Sequence, residues 1–143
     1  MNALLTAIVL WLSANFDLPA SYDHPKIEFE PASRIAALRY KGLAVPPPDP
    51  GQREVVAIYD SSTKTIYLRE GWIGDTPAEL SVLVHEMVHH LQALGAQTFE
   101  CPQAREELAY RAQERWLGML GRDLEHDFQI DPFTRLITTR CLF

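Results

Sequence analysis

Cysteine is scarce here: Cys101 and Cys141 are the two among 143 residues. The count excludes a zinc ribbon and the spacing excludes a redox Cys-x-x-Cys pair, which leaves one disulfide or two unpaired thiols acting as small apolar groups. Positive charge is also short, with 13 Lys+Arg against 19 Asp+Glu and a net charge of −6. Its basic residues are scattered, so the electrostatic footprint of a nucleic-acid-binding protein or of one held on an anionic membrane surface is missing. No apolar run is long enough to span a bilayer. The run from Ala3 to Leu12 has the length of a signal-peptide core, but no Lys or Arg precedes it. Leu5, Ile8, Val9, Leu12 and Phe16 recur at helical spacing up to a polar stop at Asn15 and Asp17, which predicts a buried first helix and no stable membrane span.

What is present belongs to an ordinary globular chain. A hydrophobic fraction of 47% and a charged fraction of 22% exclude collagenous, low-complexity and disordered classes. The length suits a single domain over residues 1–143. Ile27 and Phe29 alternate with charged residues across Lys26–Glu30, as in a half-buried strand. A short helix opened by Pro31 should stop at Gly42, and Pro46 to Gly51 reads as a stiff surface loop. Glu54–Tyr59 and Thr65–Leu68, rich in β-branched and aromatic residues, read as a hairpin.

The best-defined element starts at Thr76. Threonine caps, Pro77 suits the first helical position, and Glu79 is placed to complete a capping box. Leu80, Val82, Leu83, Val84, Met87, Val88, Leu91 and Leu94 then occupy nearly every side until Gly95 stops the helix, and a helix apolar all round is buried. Inside it lie His85, Glu86 and His89. Burying a carboxylate and two imidazoles is costly without compensation, and a metal ion supplies it most simply. Two histidines four apart lie one turn above each other, and the intervening Glu86 projects beside them toward a water, which is the His-Glu-x-x-His pattern of zinc enzymes. The competing reading is a pair of hydrogen-bonded core histidines. His90 lies about 100° round from His89 and should face away, as a supporting or surface residue.

A third ligand must come from elsewhere. His24 lies upstream in a proline-flanked loop, and His126 does not stand at the spacing of the longer His-Glu-x-x-His-x-x-Gly-x-x-His motif. On a helix from Pro102 to Leu120, the apolar arc of Leu108, Ala109, Tyr110, Ala112, Trp116, Leu117, Met119 and Leu120 encloses Glu106. Glu107 falls outside it, among Arg111 and Glu114. An acidic residue on a core face is unusual, so Glu106 is the ligand chosen; the alternative is a boundary carboxylate paired with an arginine.

His85-Glu-Met-Val-His89 followed by Glu106-Glu-Leu-Ala-Tyr110 resembles the gluzincin clan of metallopeptidases, whose second motif is Glu-x-x-Ala-Asp or a near variant. The short spacing is most similar to the minimal gluzincins and to an uncharacterised bacterial domain family with a Glu-x-x-Ala-Tyr second motif. The resemblance implies an α+β, zincin-like fold: a small antiparallel-containing sheet with a hairpin packed on the active-site helix, and a second helix bearing a ligand. It implies Zn2+ held by His85, His89 and Glu106, with Glu86 as the base that activates water for hydrolysis of an extended peptide or protein substrate, as an endopeptidase rather than an exopeptidase. The sheet's edge strand would pair with that substrate. Tyr110 stands where the clan usually has Asp; it could support a ligand through its hydroxyl or only pack. Tyr110, His126, Tyr67 or an arginine could supply an oxyanion donor, and Trp72 could line a cleft. A metal-binding but latent or non-catalytic peptide-binding module is the alternative. Cys101, just before the ligand helix, and Cys141, near the end, favour a bridge pinning the tail, and with it an exported chain, periplasmic or secreted, with room for a leader ahead of Met1.

Overall fold

The computed structural model describes residues 1–39 and 57–141. Helix α1 (Asn2–Phe16) turns Leu5, Ile8, Val9 and Leu12 inward, and Asp17 ends it in the left-handed region at φ 56°. The first helix is therefore buried on one face, as its stripe requires. Trp11 sets its ring edge against Trp116, with centroids 5.3 Å apart, so α1 is tied to the helix that carries Trp116. No helix among the described residues is long and apolar enough to cross a membrane.

Strand β1 (Lys26–Glu30), helix α2 (Ala32–Arg39) and strands β2 (Ala57–Asp60) and β3 (Thr65–Arg69) follow. They form a mixed sheet in the order β1-β3-β2. β1 runs parallel to β3, pairing Lys26 with Thr65, and β2 runs antiparallel to β3, pairing Asp60 with Thr65. The expected hairpin is present. Its first residues, 54–56, lie outside the described residues, as do the helix stop at Gly42 and the proline-rich loop from Pro46 to Gly51. Cross-strand partners share a face of the sheet, so Ile27, Ala57, Tyr59, Ile66 and Leu68 all join the main apolar cluster. Phe29 shares that face but is 48% exposed near the end of β1, with its ring centroid 6.5 Å from that of Trp72.

Helix α3 (Pro77–Leu94) runs beneath the sheet, and every residue from Ser81 to Gln92 is buried. The apolar pattern demands this, since the helix has no face to offer water. Thr76 caps it by accepting from the Glu79 amide at 3.1 Å. The reciprocal half of the capping box does not form. Instead Glu79 Oε1 accepts from the amides of Ile73, Gly74 and Asp75 at 3.3, 2.9 and 3.4 Å, gathering the turn before the helix onto one oxygen. Trp72 locks the same turn by donating its indole N–H to the Glu79 carbonyl at 2.9 Å. Trp72 thus belongs to the packing of the helix start. Gly74, at φ +73°, is obligatory there, because a Cβ would meet the Trp72 ring at 2.7 Å.

The helix expected from Pro102 to Leu120 begins as a 3-10 turn (Pro102–Arg105) and becomes α-helical as α4 (Glu106–Met119). Ala109 and Ala112, both fully buried, let α4 come close to α3. Met119 and Leu120, placed by phase on the apolar arc, are 55% and 50% exposed at its end. Two short helices, α5 (Leu124–Phe128) and α6 (Pro132–Thr138), complete the chain, each capped by an aspartate, Asp123 and Asp131. Cys101 and Cys141 form a disulfide across this tail. The architecture is α+β: six α-helices and one small mixed sheet among the described residues.

The Glu79 clasp yields a prediction. Glu79→Ala leaves three amides without their acceptor and should lower stability by about 1–2 kcal/mol, as read by urea unfolding. An unchanged midpoint would show that water replaces the carboxylate without loss.

Candidate metal centre

Three of the side chains singled out by the sequence meet at one point. His85 and His89 project from successive turns of α3, and Glu106 reaches them from the first residue of α4. Glu106 Oε2 lies 2.9 Å from His85 Nε2 and 3.1 Å from His89 Nε2. One ligand atom from each residue falls within 4.8 Å of the other two. Glu107, the neighbour excluded by helical phase, is exposed.

The hydrogen bonds behind the histidines determine where their protons are. Arg105 O can only accept, so the Gln92 side chain presents its N–H to it, at 3.2 Å, and its oxygen to His89 Nδ1, at 3.0 Å. The Ser81 hydroxyl donates to Ala78 O at 2.7 Å, which leaves its oxygen to accept from Gln113 Nε2 at 3.2 Å. Gln113 Oε1 therefore faces His85 Nδ1, at 2.9 Å. Both imidazoles must donate from Nδ1, and in their neutral forms both Nε2 atoms carry a bare lone pair toward Glu106. Three acceptors then converge with no hydrogen among them.

Only positive charge settles such a trio: a proton on a ring or a metal cation. Without a metal the proton enters. Burial opposes charge on His89, yet the bonded Glu106 carboxylate, with Glu86 close by, overcomes it and raises its pKa. Burial likewise pushes the Glu106 carboxyl up, and the two imidazoles bonded to it hold it far below the usual carboxylate range. A cation would bind the same lone pairs and displace that proton. These residues could hold a metal ion.

Glu86 is buried on α3, 7% exposed. It has no hydrogen-bond partner among the described residues, yet its oxygens are not among the sealed, unpartnered polar atoms, which are His24 Nδ1 and Trp116 Nε1. Tyr110 sets its ring against that of His85, with centroids 4.7 Å apart, and so confines the imidazole.

A family model described as a domain of unknown function (DUF6647) matches residues 1–141. The chain belongs to the DUF6647 family. No curated protein and no solved structure matches it.

Other residues of this DUF6647 domain that the sequence singled out lie away from the trio. His126 is on α5 with its side chain 84% exposed, paired with Asp123. Tyr67 pairs with Ile58 and Glu28, so alternation along β3 turns it to the sheet face opposite Ile66 and Leu68, away from α3. His24 bonds Thr6 on α1 at 2.9 Å. His90 faces away from the trio as expected, but it is no surface residue: it is 1% exposed, with Nε2 donating to Asp23 O at 2.6 Å and Nδ1 accepting from the Tyr59 hydroxyl at 3.0 Å. Burial depresses its pKa.

Gln92, Gln113 and Ser81 are the members that sequence reading passed over. A signal for Gln113 existed, since it stands seven residues after Glu106 and so on the same core-facing side of α4. If the trio holds a metal ion, Gln113→Leu should weaken its binding about 10–100-fold and Gln113→Glu should restore it, as judged with a divalent-cation probe in competition with a chromophoric chelator. Glu106→Gln should lose roughly 100-fold or more, and Glu107→Gln nothing. A larger effect at Glu107 than at Glu106 would overturn the assignment of Glu106 as the ligand.

Proposed function

We propose that this chain is a minimal gluzincin-type metallopeptidase in which His85, His89 and Glu106 hold zinc and Glu86 is the catalytic base. The observation that carries the reading is the convergence of two Nε2 lone pairs and one carboxylate oxygen, with both Nδ1 protons engaged elsewhere. Two imidazoles and one carboxylate suit zinc with one position left for water or substrate. When bound, zinc supplies Lewis-acid chemistry, lowering the pKa of a water and polarising a carbonyl.

The protein's own groups divide the remaining work. Gln92 and Gln113 hold the imidazoles in the tautomer and orientation that keep Nε2 free. Glu86, beside His85 on the same buried helix, accepts a proton from the attacking water and delivers it to the leaving amine as the peptide C–N bond breaks. Strand β2 ends the sheet among the described residues and packs on α3, which supports recognition of an extended peptide by strand addition and cleavage within a chain. The disulfide supports an exported protein working in an oxidising compartment.

Glu86→Gln tests the assignment. The amide keeps the shape of the side chain but cannot take the proton, so the variant should bind one zinc per chain and lose about 10²–10⁴-fold in hydrolysis of an unstructured protein such as casein. Wild-type turnover in the variant would remove Glu86 from the mechanism. Zinc bound without hydrolysis by the unaltered chain would favour a metal-holding peptide-binding module instead.

A further inference from the structure

The start of α4 is the least supported helix start around the site. Thr76, Asp123 and Asp131 each cap their helices with a side-chain oxygen, whereas neither Cys101, before the 3-10 turn, nor Arg105, before α4, makes such a bond. No residue of the turn Pro102–Arg105 is buried. This turn nevertheless delivers two contacts to the trio: the Glu106 carboxylate at its end, and the Arg105 carbonyl that orients Gln92 and through it His89. Its fixed point is Cys101, 6% exposed and bonded to Cys141 with Cα atoms 5.9 Å apart.

We propose that the Cys101–Cys141 disulfide is a redox clasp on the metal centre. The inference rests on reading the trio as a metal site. With the bond formed, the turn stays where Glu106 and the Arg105 carbonyl meet the histidines. With it broken, both contacts loosen together and metal affinity falls. The reductant is a dithiol: its thiolate attacks Sγ of Cys141, the more exposed partner, the S–S bond breaks, and Cys101 leaves as a thiolate that takes up a proton. The second thiol then displaces Cys141, so the dithiol ends oxidised and both cysteines reduced. Cys101 and Cys141 thereby connect compartment to activity, since an oxidising environment sets the ligand turn and a reducing one releases it.

The test compares the full, disulfide-intact chain with the Cys101→Ser/Cys141→Ser double variant, which has no thiol of its own to bind metal. Zinc affinity is read by chelator competition, and amide hydrogen exchange is followed on both metal-free proteins. The double variant should bind zinc about 10–100-fold more weakly, the range for removing support behind a ligand. Exchange protection should fall over residues 102–108 while residues 81–92 keep theirs. Equal affinities, or unchanged protection at 102–108, would overturn the clasp and leave the metal reading intact. Protection lost over 81–92 as well would make the bridge a support of the whole fold, which also overturns a local clasp. A disulfide-intact chain that binds no zinc overturns the metal reading and the clasp with it.

Discussion

A carboxylate oxygen 2.9 and 3.1 Å from two imidazole nitrogens, each with its proton committed to the far side of its ring, is untenable unless positive charge enters. Much of the domain is arranged around that demand. The amides that commit those protons are themselves committed, Gln113 to Ser81 and Gln92 to Arg105. One of these bonds joins α3 to the middle of α4 and the other joins α3 to the turn just before it, so the proton positions are set by how the two helices pack. Ala109 and Ala112 permit the close approach, and Leu83, Val84, Met87 and Val88 fill the space around it with no exposure. Apolar burial supplies the free energy that brings the trio together.

How much of this could be read from the sequence depended on whether a signal was local. Helix α3 was legible from end to end because its cap, its proline, its unbroken apolar surface and its glycine stop all lie within twenty residues and agree. Glu106 was legible because a charge on a core-facing side is conspicuous. Gln113, on the same side, has no charge and drew no notice, although its position carries the same information. The Glu79 clasp was not legible: one carboxylate had four amides in reach, and the choice among them follows from the path of the turn through Gly71 and Gly74, both at positive φ. For α6 the signal is local, since Asp131-Pro132 has the form of Thr76-Pro77, but the helix it opens is only seven residues long and carries no extended apolar stripe.

Placing amides rather than carboxylates behind both histidines has an electrostatic consequence. A carboxylate in that position strengthens an imidazole as a ligand but adds a negative charge close to the ion. An amide fixes the tautomer and orientation and adds none. Within the trio, Glu106 is then the one anionic group, so a divalent ion there keeps net positive charge on its ligand set. On the proposed reading, that residual positive charge would polarise a carbonyl and acidify a water, and the neutral support would favour chemistry at the metal over tightness of holding it. A site of this kind relies more heavily on geometry for its affinity, because it has given up charge.

That reliance bears on the described chain from Gly121 to Cys141. From Gly121 onward Leu124 and Thr139 are buried, while Phe133, Leu136 and Ile137 are 68%, 48% and 40% exposed. Phe128 also packs against the main cluster, yet this apolar burial is small beside the conformational entropy of two short helices. The Cys101–Cys141 bond, spanning a sequence separation of 40, compensates by restricting the unfolded chain, worth about 4 kcal/mol in the chain-entropy account. Because its upstream end is the residue before the ligand turn, the same covalent link that docks a weakly packed tail also fixes the segment from which Glu106 is presented. Tail docking and ligand placement are therefore one constraint in this fold.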